Sequence, residues 1–418
     1  MSQDAMRTAM PAGRRRVLWM LGGLGLLPLL DACAFSGEDA DAEDAPAAAA
    51  SRPVAAPAAG MGPKPACRDW PEWRSFVARH VQDDGRVVDL ATPDKRSTSE
   101  GQAYAMFFAL LANDAVLFEK VLDWSRHNLS GGRPDQNLPA WLWGQNAAGQ
   151  WGVLDANSAS DADLWEAYAL VEAGRLWHRP GYSHAGLQKL ALVRARETAE
   201  LPGLGRMVLP GAAGFVDGPH ATLNPSYLPL PLLRRFAAVD PQGGWAGVAT
   251  RAARMIHDSA PVGFVPDWTL WDGKAFVNDP AHGAMGSYDA IRVYLWAGMT
   301  AAADPLRAGL LAALSGPQQM LKSQGYLAEK VDTRNGAGSG RAPAGFAAAL
   351  LPYLDALGEG ALLASQRNAL PSGSAAEALP YYERALVLFG KGWSEGRYRF
   401  STDGQLLPAW RDACSATS

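Results

Sequence analysis

Between Cys67 and Cys414 the sequence runs almost throughout in a helical period, and strictly alternating β-branched runs are scarce. This constrains the fold more than any other feature, because each apolar stripe must be buried against another helix. The pattern predicts about twelve helices, near 70–81, 100–112, 114–128, 161–178, 183–200, 226–239, 243–258, 287–300, 304–322, 343–357, 360–369 and 376–391. Longer irregular stretches fall at about 129–160, 202–225, 259–286 and 324–342. A dozen helices in successive hairpins suits an all-α (α/α)6 barrel. Periodicity alone leaves an open solenoid as the alternative, and the lack of a primary-sequence repeat favours the barrel.

The 418-residue chain carries a formal charge of −4, a near balance that gives no support for nucleic-acid binding. Arg14-Arg15-Arg16 precedes an apolar run from Val17 to Leu30, too short to span a bilayer as a mature helix. Residues 1–33 therefore read as an export signal, Sec or twin-arginine, and predict a periplasmic or secreted protein. "LDAC" makes Cys33 a candidate for lipidation and a membrane tether, whereas "ACA" would suit ordinary cleavage. Residues 34–66 are Ala/Pro-rich and acidic and cannot bury a core, so they read as a linker. The folded domain is expected over 67–418, as a monomer. In an oxidising compartment Cys67 and Cys414 could pair across its ends, the alternative being two free thiols.

The stretch "STSEGQAYAM" carries Ser97-x-x-Glu100, which reads locally as a capping box. Asp161 and Asp163 in "NSASDADLWEAYALVEAGRLW", and Asp289 in "MGSYDAIRVYLW", likewise open helices just after a serine. Acidic caps are common because the helix dipole favours them. These three segments, however, all follow long loops, and in a ring of helix pairs alternate N-termini gather at one end. A convergent carboxylate pair is the apparatus of glycoside hydrolysis. The loops also carry Trp141, Trp143, Tyr227 and Trp268, which could stack on sugar rings or plug the barrel end. None of the seven histidines forms an H-x-x-x-H or H-E-x-x-H pair, and no G-x-S-x-G elbow or phosphate loop occurs, so no metal or cofactor is expected.

"ASDADLWEAYALVEAGRLW" resembles the signature of glycoside hydrolase family 8. "TSEGQAYAMFFALLAND", "LPAWLWG", "NPSYLP", "PDW" and "SYDAIRVY" resemble its other blocks in the correct order. The similarity runs from about Cys67 to Cys414 and is greatest to the branch that accompanies bacterial cellulose synthase, including "FGKGWSEGRYRFSTDGQLLPAW". It implies an (α/α)6 barrel cleaving a β-1,4-glucan chain internally with inversion, with a cellulose synthase and export complex as an expected neighbour. By motif match Glu100 is the general acid, Asp289 the general base, and Asp161 binds or distorts the sugar at the cleavage point. Tyr227 would help place the water, Arg292 would orient Asp289, and Trp141 and Trp143 would form a stacking subsite, with Trp268 and Tyr381 as further contacts. Glu166 departs from the signature, which has an apolar residue there.

A helix N-terminus favours an ionised carboxylate, whereas a general acid needs its proton, so Glu100 requires burial or a neighbour such as Asp161 to hold it. Other readings are the same fold acting on xylan, chitosan or mixed-linkage glucan, and a non-catalytic glucan-binding protein. The latter would need no carboxylates. A helical toroid handling isoprenoids would need Asp-rich metal motifs, which are missing.

Overall fold

The computed structural model describes residues 69–412, so the export-signal and linker segments and Cys33, Cys67 and Cys414 lie outside the described residues. In chain order the helices are α1 (Pro71–His80), α2 (Ser99–Leu111), α3 (Ala115–Asn128), α4 (Ser160–Leu176), α5 (Pro180–Arg196), α6 (Leu230–Val239), α7 (Trp245–Asp258) and α8 (Ala290–Met299). They continue as α9 (Arg307–Ala313), α10 (Gly316–Gln324), α11 (Ala344–Ala356), α12 (Gly360–Asn368), α13 (Gly373–Glu377), α14 (Tyr381–Ser394) and α15 (Ala409–Asp412).

Six of these form an inner ring in the order α2, α4, α6, α8, α11, α14, each packed on the next. Outside stand their partners: α3 on α2, α5 on α4, α7 on α6, α9 on α8, α12 on α11, and α1 on α14. This is the (α/α)6 barrel. The inner helices are buried nearly all round. Every residue of α2 except Glu100 is buried, every residue of α4 except Arg175, and all of α8. Close approach is set by small residues: a Cβ on Gly298 of α8 would strike the backbone of α11, and one on Gly390 of α14 would strike the Ala348 carbonyl. On the axis, Phe389 of α14 contacts Phe108 (4.6 Å), Tyr104 (4.9 Å), Trp165 (5.2 Å) and Trp296 (5.2 Å), drawn from α2, α4 and α8. Such edge-on contacts fill the interior, so the barrel is a packed core rather than a pore.

The twelve expected helices are present, with shifted boundaries. The single helix expected over 304–322 is two, α9 and α10, because Pro317 has no N–H to donate to the Ala313 carbonyl four residues earlier and its ring crowds that carbonyl, so it is accommodated in the first turn of a new helix. Pro229 and Pro231 hold α6 back to Leu230, leaving Pro225–Tyr227 as a 3-10 turn. Pro380 separates α13 from α14. The long stretches expected to be irregular carry antiparallel hairpins: Leu142–Gln145 with Trp151–Asp155, a four-stranded sheet from Val216 to Asn278, and Lys330–Asp332 with Ala337–Ser339. The first hairpin takes Ser97–Thr98 as a third strand, which ties it to the start of α2. At the opposite end, the hairpin Tyr398–Phe400/Leu406–Pro408 closes the barrel, with Tyr168 donating to the Gly404 carbonyl at 2.7 Å.

Candidate active site

All six inner helices start at one end of the barrel, and that end collects the acidic residues. Glu100 is on the first turn of α2, Asp161 on the first turn of α4, and Asp289 is the residue preceding α8. None of the three caps a helix in the manner expected from sequence. Ser97 does not cap α2: it lies in a strand and accepts from Arg86 Nε at 2.9 Å. Thr98 caps instead, its hydroxyl accepting from the Gly101 N–H at 3.0 Å. The start of α8 is held by Asp267, whose Oδ1 accepts from the N–H groups of Ser287 (2.8 Å), Asp289 (3.1 Å) and Ala290 (2.8 Å). Capping is thus delegated to Thr98 and Asp267, which leaves the Glu100 and Asp289 carboxyls free to point elsewhere.

They point at Arg292. Its Nη1 donates to Glu100 Oε2 at 2.9 Å and to Asp161 Oδ2 at 3.2 Å, and its Nη2 donates to Asp289 Oδ1 at 2.7 Å. The same fork reaches the Tyr104 hydroxyl (3.2 Å) and Ser226 Oγ (3.0 Å). Nη1 carries two hydrogens against three acceptors, so one acceptor is always unserved. Arg292 and Asp161 side chains are 2% and 3% exposed, whereas Glu100 and Asp289 retain 24% and 29%. The two partly open carboxyls bind different nitrogens of one planar fork. Their bound oxygens therefore stand at most about 8 Å apart.

Three carboxyls around one guanidinium leave an excess of two negative charges if all are ionised, and burial penalises that. Asp161 shows the response: burial, then the nearby Glu100, pushes its carboxyl well above the usual range, against Arg292 and the Ala162 N–H. Burial alone would lower Arg292, but Glu100, Tyr104, Tyr382 and Asp289 hold it firmly charged. Burial and neighbouring carboxylates push Tyr104 and Tyr227 far up, so both remain hydroxyl donors. Asp267 is raised to about 6 by burial and by Asp289, despite the bonds it accepts, and is ionised at neutral pH.

The aromatic residues divide. Tyr227 is half-buried under Arg292, 5.7 Å from guanidinium carbon to ring centroid. Trp268 offers no open face: it is buried, lies parallel to Phe215 and His282, and meets Tyr227 edge-on. Trp141 is half-buried, its carbonyl accepting from the N–H of Ser99, the neighbour of Glu100, at 3.1 Å. Trp143 is covered by Arg86 (4.3 Å) and stacked on Trp151 (5.3 Å); Trp151, 49% exposed, is the open ring of that group. Tyr381 places its hydroxyl over Gly101, where a Cβ would collide with it. Sequence reasoning passed over Asp267, Ser226, Tyr104, Tyr382 and Trp151. Asp267 lies in the quoted "PDW" block, so attention to the acid rather than its neighbouring Trp268 could have found it.

Residues 58–396 match the family described as glycosyl hydrolases family 8. An endoglucanase of Xanthomonas axonopodis pv. citri is 62% identical over 87% of this chain and 95% of its own length. Among solved structures, an endo-1,4-D-glucanase from Vibrio fischeri superposes with a TM-score of 0.76 at 40% identity, covering 82% of this chain and all of the other. An endo-β-1,4-glucanase from Acetobacter xylinum superposes with a TM-score of 0.62 at 28% identity, over 77% of this chain and 95% of its own.

Proposed function

The chain belongs to glycosyl hydrolase family 8, a family of inverting glycosidases, and on that premise we propose that it is an endo-acting β-1,4-glucanase. The observation that carries this reading is the convergence of Glu100, Asp161 and Asp289 on the single guanidinium of Arg292. Glu100, partly open and held by an over-subscribed Nη1, is the acid: it gives a proton to the glycosidic oxygen as the bond from that oxygen to the anomeric carbon breaks. Asp289, held by Nη2, is the base. It takes a proton from a water that attacks the anomeric carbon from the opposite face. A β-linkage then yields an α-anomer, and solvent returns the proton from Asp289 to Glu100. Asp161, buried beneath both, binds the ring at the cleavage point, and the Tyr227 hydroxyl helps place the water.

The test is cellohexaose hydrolysis followed by NMR. The α-anomer should appear first, and Glu100→Gln and Asp289→Asn should each lose at least about 10²-fold in kcat. A β-anomer formed first, or folded variants with near-normal rates, would overturn the assignment. The Arg14–Leu30 leader and the resemblance of the C-terminal block support a further step: the enzyme acts outside the cytoplasm, trimming glucan as it is made and exported. Fractionation of the producing cells should recover the chain in the periplasm or medium; confinement to the cytoplasm would rule this out.

A further inference from the structure

A second group of buried ionisable side chains lies one turn along α4 from Asp161 and does not touch Arg292. Asp163 and Glu166 belong to α4, Lys189 to α5, and Glu197 ends α5; all four are buried. Lys189 Nζ lies 3.3 Å from Glu166 Oε1 and 3.7 Å from Asp163 Oδ1. The Asp163 and Glu197 carboxyls stand within hydrogen-bonding range of each other, and apart from the long contact of Lys189 no backbone or side-chain donor serves the Asp163 oxygens or Glu197 Oε2. Two ionised carboxylates are acceptors only, so a bond between them requires a proton. Charge agrees: three carboxyls face one ammonium away from water. Among the described residues the neighbouring cations are engaged elsewhere: Arg194 of α5 with Asp240, and Arg234 and Arg235 of the adjoining α6 with Asp304 and Glu172; the ionisable groups of α2, Glu100 and Tyr104, are bound by Arg292.

Glu197 is wired to the active site through backbone. Its Oε1 accepts from Ser158 Oγ at 2.5 Å, and Ser158 Oγ in turn accepts from the Ala212 N–H at 3.1 Å. The Glu197 carbonyl accepts from Leu209 N–H at 2.7 Å, and the Pro210 carbonyl accepts from Ser160 N–H at 3.0 Å. Segment 209–212 is thereby laced to 158–160, immediately before Asp161. Next to Ser158, the Asn157 carbonyl accepts from Trp141 N–H at 2.8 Å, and the Trp141 carbonyl holds Ser99, the neighbour of Glu100.

We propose that Asp163 and Glu197 share one proton and, balanced by Lys189 and Glu166, act as positioning residues that fix the backbone carrying both Asp161 and Glu100. Burial, with Glu166 behind it, raises Asp163 to about 7 against Lys189 and the Glu197 hydrogen bond; burial and Asp163 push Glu197 well above its usual range. The sign follows. Because the folded state holds this proton more tightly than the unfolded chain, stability contributed by the pair falls as pH rises from the ordinary carboxylate range towards the raised range of the folded pair. Once the pair gives up its shared proton, the unshared charges loosen the staple and turnover declines.

The inference rests on the glucanase reading, so its test has an arm independent of activity. Glu197→Gln supplies a permanent donor to Asp163 and still accepts from Ser158. The alkaline limb of its kcat profile on cello-oligosaccharides should move up by at least about half a pH unit, and its loss of thermal midpoint between about pH 5 and 8 should be smaller than in the unaltered chain. Glu197→Ala should lose about tenfold or more in kcat, with KM changed less than about threefold, at temperatures where it remains folded. Identical pH dependence of the thermal midpoint in Glu197→Gln and the unaltered chain would overturn the shared proton, whatever the substrate. A shifted midpoint curve with an unmoved kcat profile, or a folded Glu197→Ala with normal kcat, would overturn the positioning role. Absence of glucan hydrolysis by the unaltered chain would count against the proposed function alone.

Discussion

Arg292 is the residue on which the site turns, and its chemistry is particular to arginine. Only a planar fork can reach Asp289 through one nitrogen while serving Glu100 and Asp161 through the other. Arg292→Lys keeps the charge and loses the span. Its kcat on a cello-oligosaccharide should drop by about 10²-fold or more while the fold, read by circular dichroism, persists; a loss below about fivefold would show that charge alone suffices. Single residues were the most legible part of this chain. Glu100, Asp161, Asp289, Arg292 and Tyr227 all gather within one cluster, although Glu100 and Arg292 stand 192 positions apart. The sequence could not show that all three acids share one cation, since that is a property of the ring. Nor could it show that the unusual Glu166 is answered by Lys189, a helix away. Trp268 was legible as an aromatic near the site but not as a buried one, because burial depends on Phe215 and His282 closing over it.

At the scale of elements, the helices could be read and the hairpins could not. A strand of two to five residues contains too few alternations to stand out, and the inner helices, buried on every side, show a broad apolar surface instead of a stripe. Prolines 229, 317 and 380 account for the boundaries that moved. The start of α8 shows what an element contributes to chemistry. Asp267, on a loop some twenty positions earlier, holds three backbone N–H groups and the Ser287 hydroxyl, and so releases Asp289 from capping duty. Asp267→Ala should destabilise the protein by about 1–2 kcal/mol, the scale of a lost cap, and should lower kcat more than it raises KM, because Asp289 loses its footing. Urea unfolding and steady-state kinetics on one preparation would check both; a loss of stability with kcat intact would confine Asp267 to the cap.

For the whole molecule, the ring joins the first described helix to the last long one. Helix α1 packs on α14, Arg384 donates to Ser75 Oγ at 2.7 Å, and Arg397 donates to the Asp69 carbonyl at 3.0 Å, across more than 300 positions in each case. Contacts so remote in sequence close slowly, because the intervening chain must be ordered first. Truncation after Pro380 should therefore abolish cooperative thermal unfolding rather than merely lower its midpoint, and a sharp residual transition in calorimetry would disprove that. A ribosome making this chain from its N-terminus has emitted Glu100, Asp161 and Asp289 long before α14 emerges to shut the ring. Until α14 docks on α1, the polypeptide has all three acids and no seam to lock them in register, so the site is assembled only when the ring shuts.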